Sequence, residues 1–471
     1  MSTTNLVWFR QDLRIKDNPA LRAAAKTGRI IPIYILDDGN ANDWAMGAAS
    51  RWWLHHSLCS LDDSLDGKLR VYCGDPLQLI PQLLAEAKAT EVHWNRCYEP
   101  WRVTRDKTLK KKLEDHGEVF SHNGSLIWEP WVNLKQDETP YRVFTPYYKN
   151  GVSLGVSEDQ LSASSPKLDL VDTDQPKDKI GKLKLLPDIP WYEGFTEHFS
   201  PGEEGAEQKL EDFLDCRLDD YKKGRDYPSM EKVSRLSPHL HFGEISPQRV
   251  WQRAGEAGQQ NGDENQAEHF QRELAWREFS YSLLYHFPKL PTKNMNERFD
   301  KFPWKDDASL LKCWQRGETG YPLVDAGMRE LWTTGYMHNR VRMIVGSFLV
   351  KNLMQHWIHG ARWFWDCLLD ADLANNTSGW QWVAGCGADA SPYFRIFNPL
   401  TQSEKFETAA YIKRYVPELK GLSDKHVHNP AAAPKEELEN AAIKLDEDYP
   451  SPIVDLKESR ERALAAYKEL D

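Results

Sequence analysis

The sequence predicts two domains of different class: an α/β N-terminal domain on a doubly wound parallel sheet, then an all-α C-terminal domain. Three observations lead there. Up to about residue 130, short apolar runs alternate with helical patterns. From Gly151 to about Pro190, Ser, Asp, Lys and Pro dominate and no periodicity survives. After Pro201, helical spacing persists and strand signals nearly vanish. A chain of 471 residues also exceeds the roughly 250–300 residues that one core sustains. The expected division is 1–130 for the α/β domain, 131–200 for an interdomain connection and 201–471 for the helical domain.

In chain order, Leu6–Phe9, Ile30–Leu36, Leu69–Tyr72 and Glu91–Trp94 read as buried strands. Pro19–Thr27, Ala48–Leu65, Pro76–Ala89 and Val103–Asp115 read as the helices between them. Such alternation with short connections implies a parallel sheet covered on both faces. No GxGxxG fingerprint and no P-loop occurs in this unit. Ser162-Ala163-Ser164-Ser165-Pro166 typifies the connection, expected on the surface. Beyond it, helices are expected over Glu203–Leu218, His269–His286 and Met337–Ile358.

Bulk properties exclude several classes. The net charge of −11 argues against a nonspecific nucleic-acid coat. It leaves room for one local reversal: Leu331–Trp365 contains no Asp or Glu, yet carries Arg340, Arg342, Lys351 and Arg362. No apolar run approaches the ~18 residues of a membrane span, and the first residues lack the basic and apolar regions expected of a signal peptide. The 7 cysteines form no CxxC pair, so a metal or disulfide framework is not expected, and a cytoplasmic location is.

The chemistry concentrates in Asp370–Trp382, where two carboxylates, three carboxamides and two tryptophans share thirteen positions. Buried polar groups need partners, so this stretch reads as the wall of a ligand pocket. Five of the 19 tryptophans lie between Trp357 and Trp382, against about one by chance. Asn339, Arg342, Met343 and Gly346 share one helical face, as do Glu273, Trp276, Arg277 and Ser280. Arg342 needs an anion, and Asp370 and Asp372 are the candidates. Ser234-Arg235-Leu236-Ser237 before a helical turn suits phosphate oxygens.

Five stretches, in order, resemble the photolyase/cryptochrome family, and within it the class I cyclobutane-pyrimidine-dimer photolyases of bacterial type. They are Val7–Arg14, Ser234–Ser237, Trp276-Arg277-Glu278-Phe279, Met337-His338-Asn339-Arg340, and Asp370–Trp382 with Arg395–Pro399. The resemblance runs to about residue 416. It implies FAD in the helical domain and UV-damaged DNA as the partner of a monomer without a membrane anchor. By resemblance, Tyr221, Ser234, Arg235, Leu236 and Ser237 hold the FAD phosphates, and Glu273 and Arg277 line the cavity. Asn339, Arg342, Asp370, Ala371 and Asp372 flank the flavin ring, and Asn376 faces its N5. The implied reaction is electron donation by light-excited reduced flavin to a dimer flipped out of the duplex, with Asn376, Glu273 and Met343 as the catalytic set. Trp276 and Trp382 match the aromatics that sandwich the dimer, Met343 lies beneath it, and Arg225 and Arg340 reach phosphates. Trp380, Trp357 and Trp304 match the chain that photoreduces the flavin.

Two details refine this expectation. The related (6-4) enzymes use a histidine pair where this chain has only His338, which favours cyclobutane dimers. Plant-type cryptochromes commonly carry Asp where Asn376 stands, so Asn376 favours repair over light signalling, as does a short C-terminal region. An electron-transfer flavoprotein is the third reading, opposed by Trp276, Trp382 and the carboxylate-free window. The family's folate site departs: Trp101 and Arg102 replace its Asn-Glu pair, and its lysine falls near Lys293. A second, antenna chromophore is then methenyltetrahydrofolate bound differently, a deazaflavin, a flavin, or absent.

Overall fold

The computed structural model describes residues 3–114, 117–157 and 165–470. Five strands, β1 (Thr3–Phe9), β2 (Gly28–Leu36), β3 (Arg70–Cys73), β4 (Glu91–Asn95) and β5 (Glu118–His122), form one sheet in the order β3-β2-β1-β4-β5. Every pairing is parallel. Alternation along β1 feeds both faces. Val7 and Phe9 pack with Leu21, Trp53 and Leu58 on one side, and Leu6 and Trp8 with Ile80, Leu83 and Leu109 on the other. β5 has no counterpart among the four strands read from sequence. It is an edge strand, mostly exposed or half-buried, so burial left no apolar run to read.

The helices between the strands are Pro19–Thr27, Ala48–Ser64, Pro76–Ala87 and Pro100–Leu113. Asn18 and Asp75 cap two of them by accepting from the Leu21 and Leu77 amides, each with proline in the first turn. The last starts three residues earlier than expected, and its expected end at Asp115 lies outside the described residues. The connection Ser162-Ala163-Ser164 lies outside them as well.

The remainder of 131–200 is no simple surface connection. Residues Phe144–Leu154 form a helix whose Phe144, Tyr147 and Tyr148 pack on Ala275, Phe279 and Leu283. Leu170 lies beside β2, bracketed by bonds from the Ile30 amide to the Asp169 carbonyl (2.8 Å) and from the Val171 amide to the Ile30 carbonyl (2.9 Å). Ile180, Leu185, Phe195 and Phe199 are buried in the core of the first domain. These apolar residues are spaced singly among polar ones, so no period betrays them.

Helices dominate from Glu203 onward: Glu203–Cys216 ends two residues short of the expected Leu218, and Glu264–His286 ends as expected but starts five residues before His269. The expected helix over 337–358 is broken into Asn339–Ser347, a π-helical turn at Phe348–Asn352, and a new helix Trp357–Cys367. Met354 takes φ +55 at the break. His338 and His356 cap the two helices, their rings accepting from the Arg340 and Ile358 amides. Histidine is not among the usual capping residues, so both starts were hidden. One large core, with Trp314, Val324, Phe348, Trp357 and Trp380, holds these helices together.

Candidate active site

The helical domain encloses a cavity of about 600 Å³. Its floor comes from the helix Asn339–Ser347 and from the helix Leu373–Ala384 with the loop before it. Arg342 donates through Nη2 to Asp370 (2.9 Å) and through Nε to the Met337 carbonyl (2.7 Å). The bridge is sheltered, so each partner satisfies a charge that burial alone would penalise. Asp372, the other candidate, does not meet Arg342. Its Oδ1 accepts from the Asn375 amide (2.8 Å), capping the helix, and its Oδ2 from the Tyr281 hydroxyl and from His241 Nδ1 (3.3 Å). Burial raises the Asp372 carboxyl, but His241, Arg277 and Tyr281 outweigh it and hold it at about 2. Tyr281 and His241 were missed in the sequence, because three distant segments meet here.

Asn376 donates through Nδ2 to the Ala361 carbonyl (2.9 Å). That bond fixes the amide, leaving its oxygen as an acceptor in a residue that lines the cavity. Ser378, also in the wall, has a buried hydroxyl without a partner, an orphan that a polar ligand would satisfy. Asn339 lines the cavity too, whereas Ala371 is buried beside it and does not. Gly346 lines the cavity as well, and a Cβ there would also press on the wall, 3.1 Å from Val383 Cγ1 and 3.6 Å from Trp380 Cζ3.

One end of the cavity holds Tyr221, Ser234, Arg235, Leu236 and Ser237. Arg235 takes φ +52, a left-handed kink just before the helix Ser237–Phe242. The Arg235 guanidinium rests 5.3 Å from the Tyr336 ring centroid, and so does that of Arg342. Tyr336, unmarked by any motif, thus carries two cations of the wall.

At the mouth stand Trp276, Trp382, Met343, Arg225 and Arg340. Arg225 pairs with Glu273 at 2.9 Å. Burial raises the Glu273 carboxyl against the opposing charge of Arg225. Arg340 pairs closely with Asp226, lies 4.6 Å from the Phe406 centroid and contacts Met343 Sδ at 3.7 Å. Arg277 turns away from the mouth to the Ser125 carbonyl and Glu278, both at 2.9 Å.

Trp380 is buried in the wall against Phe364 (centroids 4.9 Å apart) and Trp314 (6.0 Å). Trp357 is fully buried and donates to Asn294 Oδ1 (2.8 Å). The His356 ring stands between Trp357 (5.5 Å) and the half-buried Trp304 (5.1 Å).

A second, narrow cleft of about 50 Å³ opens at the carboxyl ends of the strands. The chain order reverses there, β1 lying between β2 and β4, which is where open α/β sheets bind ligands. Trp101 and Arg102, the residues that depart from the folate pattern, line it. Arg102 lies 4.8 Å over the Trp101 ring and Arg105 at 5.2 Å. Glu99 Oε2 and Arg102 Nε are buried there without hydrogen-bond partners.

Residues 270–469 match the model of the FAD binding domain of DNA photolyase, and 5–161 that of DNA photolyase. The chain is 48% identical over 470 residues to a deoxyribodipyrimidine photo-lyase of Agrobacterium fabrum, covering 98% of this chain and 97% of the relative. It is 36% identical to cryptochrome-2 of Arabidopsis thaliana, over 98% of this chain and 78% of that one. The crystal structure of a bacterial class III photolyase from Agrobacterium tumefaciens superposes with a TM-score of 0.94 at 46% identity, covering 100% and 98% of the two chains. The chain therefore belongs to the photolyase/cryptochrome family.

Proposed function

We propose that this protein repairs cyclobutane pyrimidine dimers in DNA with light. The observation that carries the reading is one cavity joining an aromatic mouth, Trp276 and Trp382, to a polar floor of Arg342–Asp370 and Asn376. FAD, when bound and reduced, supplies an electron under blue or near-UV light and takes it back after the ring splits. The chain's own residues do the rest. Trp276 and Trp382 stack on the extruded bases, where stacking binds without reading sequence. Flipping costs a few kcal/mol and least at damaged bases. Met343 fills the space beneath the lesion. Arg225 and Arg340 exchange Glu273 and Asp226 for DNA phosphates, confining positive charge to the mouth of an acidic chain. Asn376, its Nδ2 tied to the Ala361 carbonyl, would hold the flavin's edge through its free oxygen without adding charge. Trp380, Trp357 and Trp304 relay electrons inward to restore the reduced cofactor.

His338 supports the cyclobutane assignment. Its Nε2 donates to the Gly224 carbonyl (3.1 Å) and its Nδ1 accepts from the Arg340 amide (3.3 Å). Burial lowers its pKa to about 4. With both nitrogens engaged and the ring neutral, it has no proton to give a (6-4) lesion.

On class, the resemblance points to class I and the solved relative at 46% identity is a class III photolyase, which favours class III for this chain. An antenna chromophore, whether methenyltetrahydrofolate, a deazaflavin or a flavin, would be held by Trp101, Arg102 and Arg105 against the open side of the cleft at the strand ends, whose enclosed part of about 50 Å³ is too small to take its ring; the alternative is no second chromophore. A cytoplasmic monomer is the working form. The 7 cysteines are free, and among the described residues no helix is long and apolar enough to cross a membrane.

The test is to illuminate the reduced holoenzyme with dimer-containing DNA and follow the return of thymine absorbance. Recovery that depends on light supports repair. No recovery with FAD bound overturns it and favours a light-sensing role, the reading that the 36% identity to a plant cryptochrome would then carry.

A further inference from the structure

The lesion-facing Trp276 has a backing that no motif announces. Phe144, the first residue of the helix Phe144–Leu154, lies parallel to the Trp276 indole with centroids 3.8 Å apart and planes 8° apart. Phe144 is buried. With one face of Trp276 covered, only the opposite face and the ring edges of this cavity-lining residue can meet a base. Behind Phe144 the stack continues: Tyr148 lies 5.8 Å away at 21°, and the Arg272 guanidinium lies 5.5 Å from Phe144 and 4.8 Å from Tyr148. Trp276 thus ends an aromatic column braced by a cation from its own helix.

The column is also tied to the second lesion-facing tryptophan. The helix at Phe144 has no side-chain cap from its preceding residue, Val143. Its first amide instead donates to Asp389 Oδ2 (3.1 Å), a carboxylate well placed at a helix N-terminus. Asp389 sits in the loop after the helix Leu373–Ala384, in a left-handed conformation with φ +46. Two residues on, the Ser391 amide donates to the Trp382 carbonyl (3.2 Å). A short path therefore runs from Trp276 through Phe144, its amide and Asp389 to the backbone of Trp382.

We propose that Phe144, held by Asp389, is a positioning residue that sets the orientation of Trp276 and its spacing from Trp382, and thereby the enzyme's selectivity for dimer-containing DNA. This rests on the reading of Trp276 as a lesion contact. Two aromatic rings lining one cavity hold a flipped-out dimer selectively only if neither ring can tilt. A π-stacked backing supplies that resistance, and an aliphatic one does not.

The experiment measures binding of the FAD holoenzyme to oligonucleotides with and without one cyclobutane thymine dimer. Phe144→Leu should weaken dimer binding roughly three- to tenfold, the range expected for losing an aromatic pair. Binding to undamaged DNA, FAD content and flavin photoreduction should stay unchanged. Phe144→Tyr, which keeps the ring, should restore binding to within about twofold of wild type. Asp389→Ala, at an exposed residue, should weaken dimer binding in the same direction without touching the core, so it decides the matter if Phe144→Leu does not fold. Equal losses on damaged and undamaged DNA, or unchanged selectivity in both Phe144→Leu and Asp389→Ala, would overturn the proposal. Trp276→Ala separates the two claims. If it alone abolishes selectivity, the lesion contact stands and the clamp falls; if it changes nothing, the lesion contact itself falls.

Discussion

Trp380 owes its place to a missing methyl group, and adding that group is a severe test of the cavity wall. A Cβ on Gly360 would lie 2.0 Å from Trp380 Cη2, 2.4 Å from Cζ3 and 2.5 Å from Cζ2. Carbon contacts settle near 3.5–4.0 Å, so the indole would have to retreat by about 1.5 Å. Phe364 at 4.9 Å and Trp314 at 6.0 Å close two directions, and Gly346 stands close on a third, where an added Cβ would lie 3.6 Å from Trp380 Cζ3. The open direction is the cavity that Trp380 lines. Alanine gains about 1 kcal/mol over glycine inside a helix, and overpacking costs about 1–3 kcal/mol. Gly360→Ala should therefore lose up to ~2 kcal/mol net, read as a lower urea midpoint. It should also lower the FAD content, since the displaced ring enters the ligand's space. Gly255→Ala is the control. It lies within the helix Pro247–Asn261, and its Cβ would meet Gln271 Nε2 at 3.2 Å, which donates to the Trp251 carbonyl at 2.9 Å; the gain of about 1 kcal/mol in helix propensity offsets that crowding, so the midpoint should shift little and the FAD content not at all. A Gly360→Ala protein with an unchanged midpoint and full flavin would refute the packing argued here for Trp380.

Three further outcomes are expected. Trp380→Phe should slow photoreduction of oxidised flavin while chemically reduced enzyme still repairs; equal loss of both activities would reject the relay role. Asn376→Asp places a second acceptor against the Ala361 carbonyl, now reached by Nδ2 at 2.9 Å. That loss should cost about 1–3 kcal/mol and lower the flavin's two-electron midpoint potential, so unchanged stability and potential would count against the Asn376 assignment. The third concerns acid. The folded-state pKa of Asp372, about 2, lies below its ordinary 3.8. Its ionised form thus stabilises the fold above about pH 4, by about 2 kcal/mol, and that contribution fades as pH falls toward 2. The stability gap between wild type and Asp372→Asn should be wide at pH 6 and shrink below pH 4; a constant gap would contradict the buried network.

What the sequence disclosed and what it hid divide along a physical line. Arg342 and Asp370 were legible because a cation on a helical face demands an anion, and one of two nearby carboxylates supplies it. Which of the two was not legible, because the answer lies with Tyr281 and His241, which reach Asp372 from other segments. The mouth tryptophans were legible by resemblance. The Phe144 backing was not, since it lies in a stretch whose composition reads as a connection. β1, β2 and β4, largely buried, announced themselves, and the edge strand β3 did so although only its Val71 is buried; the edge strand β5, with no buried residue, did not. Local chemistry is thus readable where a residue's need names the type of its partner, as Arg342 names a carboxylate, and fails where neighbours from other segments decide which candidate that partner is.

Trp380 and Trp382 show the readable case at its limit. Within one helix, two positions are separated by about 200° of rotation, so neighbours two apart must look in nearly opposite directions. Trp380 faces the core, seated on Gly360 beside Phe364 and Trp314. Trp382 is half-buried at the mouth, its carbonyl bound by the loop that carries Asp389. One aromatic is therefore dry and rigid, as an electron relay requires. The other is accessible and braced, as a stacking surface requires. Helical geometry alone forces that division on any pair at this spacing. What this chain adds is the glycine under one ring and the tethered loop behind the other.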